Sequence, residues 1–190
     1  MNPRSTSSLE ARVARLEARH EIRELVARYC FTVDARDIEG IAACFTRDGA
    51  MRSLDGVMDA RGRDAVVNQF HGRFAVLGPS NHFTHDHLIE FDADDADRAT
   101  GIVNSHAEVV RNGRALLASL RYHDEYRRED GSWRFHLRLL SFFYYLEPGE
   151  YAAVLRDPLR NRAYAEPRPA DFPERLETWQ RYHREHASGR

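Results

Sequence analysis

Between Ser8 and Val33 the apolar residues Leu9, Val13, Leu16, Ile22, Leu25, Val26, Tyr29 and Val33 recur near the helical period. They predict one long amphipathic helix. Asp37 can cap a second, short helix over 38–45, with Asp48-Gly49 as its stop. Residues 50–54 and 57–60 predict a hairpin around Asp55-Gly56. Residues 62–75 read as a third helix on the stripe Ala65, Val66, Phe70 and Phe74. After Gly78-Pro79 the period changes to two. Strands are expected at about 81–91, 99–110, 114–128 and 132–146, joined at Asn112-Gly113 and Asp130-Gly131 by tight turns. Long strands with such turns imply an antiparallel sheet, and helices followed by strands imply an α+β fold.

Alternation assigns faces to these strands. Over 114–128 the apolar face is Leu116, Ala118, Leu120, Tyr122 and Tyr126, with Asp124 intruding, and an arginine across the sheet is its expected partner. Over 99–110, Val103, Ser105, Ala107 and Val109 oppose the polar face of Ile102, Asn104, His106 and Glu108. Over 132–146, Trp133, Phe135, Leu137, Leu139, Ser141, Phe143 and Tyr145 alternate with Arg134, His136 and Arg138. His85 and His87 share one face, with His82 on the other unless a bulge intervenes. The tail predicts a helical turn at 151–155, a surface arm over 160–173 and a final helix over 172–186. The organisation is a short N-terminus (1–8), one domain (9–147) and a C-terminal extension (148–190).

The first candidate chemistry is a carboxylate where the helix pattern calls for an apolar residue. Val26, Cys30 and Asp34 step by four and share one helix face. A helix Asp and a strand His, here Asp34 and His82, could pair so that the carboxylate orients the imidazole as a base. The alternative is that Asp34 marks the helix end or caps the next helix.

Composition narrows the field. The chain of 190 residues has room for one core, and its net charge of -2 gives no reason to expect nucleic acid as a partner. No apolar run approaches the ~20 residues of a membrane span, and the N-terminus lacks the apolar core of a secretion signal, so a cytoplasmic location is the default. Cys30 and Cys44 are expected as buried thiols. All 28 basic side chains are arginine, which excludes Schiff-base chemistry and a phosphate-loop lysine. The spacing of His82, His85 and His87 does not fit a metal site, and no cofactor motif is present, so neither metal nor cofactor is expected.

One ordered set of segments carries a resemblance. It runs from Arg28-Tyr-Cys-Phe-Thr-Val-Asp34 through Phe45-Thr-Arg-Asp-Gly49 and Ser80-Asn-His82 to Arg121-Tyr-His-Asp-Glu-Tyr-Arg-Arg-Glu-Asp-Gly-Ser-Trp-Arg-Phe135. Over about Leu9 to Leu146 the chain resembles the SnoaL-like branch of the nuclear transport factor 2-like superfamily. That resemblance implies a cone-shaped fold in which a curved antiparallel sheet wraps helices around one deep pocket. Within the superfamily the spacing is similar to scytalone dehydratase and hexachlorocyclohexane dehydrochlorinase. It implies Asp34 and His82 as the catalytic pair, with Tyr29, His106 and Arg138 as substrate-binding residues. The implied activity is a cofactor-independent lyase acting on a small apolar or aromatic ring-bearing substrate. An isomerase or polyketide-cyclase-like enzyme on the same dyad, or a non-catalytic ligand-binding or structural subunit, is the alternative. The broad, partly apolar sheet face suggests a homo-oligomer, a dimer or trimer.

Overall fold

A computed structural model describes residues 8–186. The first helix, α1 (Leu9–Ala35), opens with the Ser8 hydroxyl accepting from the backbone N–H of Ala11. It buries Ala18, Ile22, Leu25, Val26, Tyr29, Cys30 and Val33. Leu9, Val13 and Leu16, expected on that stripe, are exposed, because α1 is covered only from Ala18 onward. Then come α2 (Ile38–Ala43), capped by Asp37, β1 (Phe45–Ser53), β2 (Asp59–Arg61) and α3 (Arg63–Phe74). The expected second helix therefore stops earlier, and the first strand takes over Phe45 to Gly49. The four long strands are β3 (Leu77–Phe91), β4 (Arg98–Arg111), β5 (Arg114–Glu129) and β6 (Ser132–Leu146).

The sheet order is β2-β1-β6-β5-β4-β3. Every pairing is antiparallel except β1 with β6, which is parallel. The sheet is thus mixed rather than wholly antiparallel. It curves without closing and wraps α1 and α3, the cone-shaped α+β arrangement expected from the sequence. Cys30 and Cys44 are both buried free thiols within the main core. Among the described residues no helix is long and apolar enough to cross a membrane.

Bulges decide which side chains point inward. Between Tyr126↔Phe135 and Glu125↔Leu137, β6 carries one extra residue, His136. Beyond it Arg138 and Leu140 face the core, while Leu137 and Leu139 face outward, the reverse of simple alternation. A second extra residue, Phe143, follows between Leu120↔Phe142 and Ser119↔Tyr144. In β3 the register slips between Thr84↔Ser105 and His87↔Val103. His82 and His87 therefore share the inner face, and His85 is turned outward.

The C-terminal extension is not a surface arm throughout. β1 pairs with β6 only up to Leu140, which leaves the rest of that β6 edge open. The arm fills it: Asp171 N–H donates to Phe142 O, Phe142 N–H donates to the Asp171 carboxylate, and Tyr145 and Arg160–Arg162 exchange backbone bonds. An open edge is thereby covered. Arg160, Asn161, Ala170, Asp171 and Phe172 become buried, with Arg160 held by both oxygens of Glu174. The extension carries α4 (Tyr151–Val154) and α5 (Glu177–His186), the latter shorter than the pattern predicts.

Candidate active site

Asp34 sits in the last turn of α1, and the chain leaves that helix through Arg36, which adopts a left-handed conformation at φ 61°. The Arg36 guanidinium then donates to the carbonyls of Leu77 and Gly78 and lies 4.1 Å from the Phe74 ring centroid. These contacts tie the end of α1 to the start of β3 and bring Asp34 beside His82.

The Asp34 carboxylate receives three hydrogen bonds. His82 Nδ1 lies 2.6 Å from Oδ1, the His82 backbone N–H donates to Oδ2 at 2.8 Å, and the Ser80 hydroxyl donates to Oδ1 at 2.7 Å. A carboxylate in the last turn stands at the unfavourable end of the helix dipole, at a cost of about 0.3–1 kcal/mol. Hydrogen bonds to a charged group contribute about 1.5–3 kcal/mol each and outweigh it. Burial pushes the Asp34 carboxyl up, but the bonds from His82 and Ser80 pull it further down, so it stays below the ordinary carboxylate value. An ionised Asp34 accepts the Nδ1 proton, which fixes the tautomer and leaves the Nε2 lone pair of His82 free.

His82 faces a cavity of about 240 Å³. Tyr29, Met51, Ala118, Leu120 and Tyr122 form its interior, and Val57 and Val76, 50% and 39% exposed, lie at its rim. Tyr164 of the C-terminal arm lines the same cavity, its hydroxyl donating to Asp55 at 2.8 Å. The extension thus completes the wall of its own subunit's cavity.

The other three anticipated site residues separate. Tyr29 lines the cavity, and its hydroxyl has only the weak acceptor Met51 Sδ at 3.7 Å. Burial pushes its pKa up to about 12, against the pull of the Arg138 charge. His106 does not reach the cavity. It is exposed on the outer face of β4, bonded to the Tyr144 hydroxyl at 2.5 Å and packed near His85. Its register partner Phe83 and the outward turn of even-numbered β4 residues place it there. Arg138 is not a cavity-wall residue either. It is 0% exposed and lies below the floor, 4.3 Å from the Tyr29 ring centroid, 4.0 Å from Tyr122 and 3.9 Å from Phe135.

Arg138 makes the cross-sheet pair with Asp124: Nε to Oδ1 at 3.0 Å and Nη2 to Oδ2 at 2.7 Å. The chain of contacts continues from Asp124 to the Tyr126 hydroxyl at 2.9 Å and on to His87 Nε2 at 3.0 Å. Burial, more than any charge nearby, holds His87 down at about 4. Ser80 and Tyr164 were not singled out in the sequence. Ser80 lies two residues before His82 on the same strand face, a signal that could have found it, whereas nothing in the sequence marks Tyr164.

The SnoaL-like domain profile matches residues 14–138. No curated protein sequence matches the chain. Several solved structures share the fold. Hexachlorocyclohexane dehydrochlorinase LinA-type3 from Novosphingobium barchaimii LL02 is 22% identical, with a TM-score of 0.63 over 70% of this chain and 91% of that one. A putative scytalone dehydratase from Novosphingobium aromaticivorans is 20% identical, with a TM-score of 0.65 over 70% of this chain and 89% of that one. A protein of unknown function from Mycobacterium tuberculosis is 26% identical, with a TM-score of 0.61 over 84% of this chain and 88% of that one.

Proposed function

The chain belongs to the SnoaL-like domain family, and from that premise we propose that it is a cofactor-independent lyase using Asp34 and His82 as its general base. The observation that carries this reading is the 2.6 Å contact between Asp34 and His82 Nδ1, with His82 bordering the cavity. Dehydrochlorinase and dehydratase structures among those sharing the fold support the same class of reaction.

In this mechanism Nε2 of His82 takes a proton from a substrate carbon. The C–H electron pair forms the new double bond, and the bond to a hydroxyl or halide on the adjacent carbon breaks. Asp34 stabilises the imidazolium that results. Such base catalysis is worth about 10²–10⁴-fold. Tyr29, which keeps its proton at neutral pH, is the donor for a leaving hydroxyl or a developing oxyanion. Arg138 supports Tyr29 from beneath and does not touch the substrate. The apolar wall suits a small ring-bearing body. Exposed Phe83, Leu88 and Ile102 on β3 and β4 support a second copy of the chain as partner, a homo-oligomer that sedimentation would detect.

The test is product mass after incubating hydroxylated and halogenated one-ring compounds with the purified chain. Loss of water or hydrogen halide is expected. Conserved mass would move the reading to an isomerase or cyclase on the same dyad. A full panel without turnover would favour the binding subunit.

A further inference from the structure

His82 of the dyad borders the cavity, and so do nitrogen donors from α3 and the end of β4. Gln69 and Arg73, one helical turn apart on α3, and Arg111, the last residue of β4, all line it. Each contributes an enclosed nitrogen without a hydrogen-bond acceptor: Gln69 Nε2, Arg73 Nε and Arg111 Nε. Of the other arginines with such a nitrogen, Arg138, Arg160 and Arg162 have a carboxylate partner, and Arg36 and Arg134 donate to backbone carbonyls. Among the described residues neither Arg73 nor Arg111 pairs with one. Arg73 contacts the thioether of Met58 at 2.6 Å and lies 5.9 Å from the Phe70 ring centroid, and Arg111 lies 5.9 Å from the Tyr164 ring centroid.

Among the described residues no Asp or Glu lines this cavity, and the carboxylates bonded to His82 and Tyr164 of its wall are already committed. Asp34 is turned to His82 and Ser80, while Asp55 holds Tyr164 and lies 3.6 Å from Arg168. Both guanidinium charges also act on the Tyr145 phenol, a neutral partner within reach of Arg111 that lines the same cavity and that burial nevertheless raises. The site is therefore rich in donors, poor in acceptors and positively charged. Two guanidinium charges that border a cavity without a carboxylate partner favour an anion in the space between them and the base.

We propose that Gln69, Arg73 and Arg111 form a carboxylate-binding subsite, so that the substrate is a compact ring-bearing acid held with its reacting carbon toward His82. A guanidinium fork matches the two oxygens of a carboxylate. The cavity, below the ~300–1,000 Å³ of most ligand pockets, limits the acid to about one ring. The charge would orient the substrate, leaving the base to remove a proton from the other end of the molecule. This inference rests on the lyase reading only in taking the cavity as the reaction site.

The test is calorimetric binding of benzoate and of its neutral isostere benzamide to the full chain near neutral pH. Benzoate should bind about ten- to hundredfold more tightly than benzamide. The preference should shrink to within about threefold in Arg73→Gln/Arg111→Gln and persist in His82→Ala. Equal affinity for the two probes in the wild-type chain, or no binding of either, overturns the subsite without reference to any variant. A preference lost in His82→Ala but kept in the arginine variant also overturns it, since the imidazole would then hold the acid. Charge-dependent binding with no elimination from any one-ring acid would remove the lyase reading and leave the subsite standing.

Discussion

The interior holds two clusters in which a carboxylate meets a basic side chain, and they are built to opposite ends. In one, Asp124 grips Arg138 through both oxygens, and Tyr126 and His87 extend the network. Both charged side chains are 0% exposed. In the other, Asp34 receives three hydrogen bonds but the histidine it holds keeps one nitrogen free beside a cavity. Charge and burial alone would rank the first cluster higher as a candidate site. A free valence facing space for a substrate is what separates a working base from a structural ion pair.

Breaking the sealed cluster should have the largest effect. Arg138→Ala strands the Asp124 charge in the core and opens a hole beneath Tyr29, so denaturant titration should show a loss of about 3–5 kcal/mol. The paired change Arg138→Met/Asp124→Leu sharpens the point. It removes both charges and should recover most of that loss. Next in size, Asp34→Asn and His82→Ala should each lower elimination activity by about 10²–10⁴-fold while the far-ultraviolet circular dichroism stays that of the wild type.

The two clusters should also separate on a pH axis. His87 takes up a proton near 6.5 in the unfolded chain but only at about 4 when folded. The unfolded state binds more protons between those values, so stability falls as pH drops through that window. His87→Gln should flatten the fall in pH-dependent unfolding. Asp34, held below its ordinary value of 3.8, contributes stability that is complete above that value and is lost only as pH falls through its lower folded value. The smallest expected effect is that of Ser80→Ala. Removing one of three donors from Asp34 should reduce kcat/KM by about two- to tenfold, read by steady-state kinetics.

How far the sequence discloses these clusters depends on local regularity. Asp34 stands out because the four-residue step from Val26 and Cys30 is unbroken. On β5 alternation holds without interruption, so the inward face from Leu116 to Tyr126 was legible, Asp124 included. Alternation also put His106 on the polar face of β4, and the structure agrees with it rather than with the resemblance. Arg138 was hidden by the extra residue His136, since a bulge reverses the faces beyond it and leaves no clear mark in composition. Residues 160–173 looked solvated because they are rich in Arg, Pro and Glu. The burial of Arg160, Asn161 and Ala170 to Phe172 follows from an unoccupied β6 edge, which depends on where β1 stops pairing. Arg73 and Arg111 look like ordinary charges at element ends, and only the curvature of the sheet around α3 brings them to the cavity.

The most direct test of the account is kcat/KM for elimination in the wild type, His82→Ala and His87→Gln, measured side by side on one turned-over substrate. Both histidines lie on the inner face of β3, and only His82 pairs with Asp34 at the cavity. The account predicts a fall of about 10²–10⁴-fold for His82→Ala and a change within about threefold for His87→Gln. Activity retained without His82, or lost equally without His87, would contradict it.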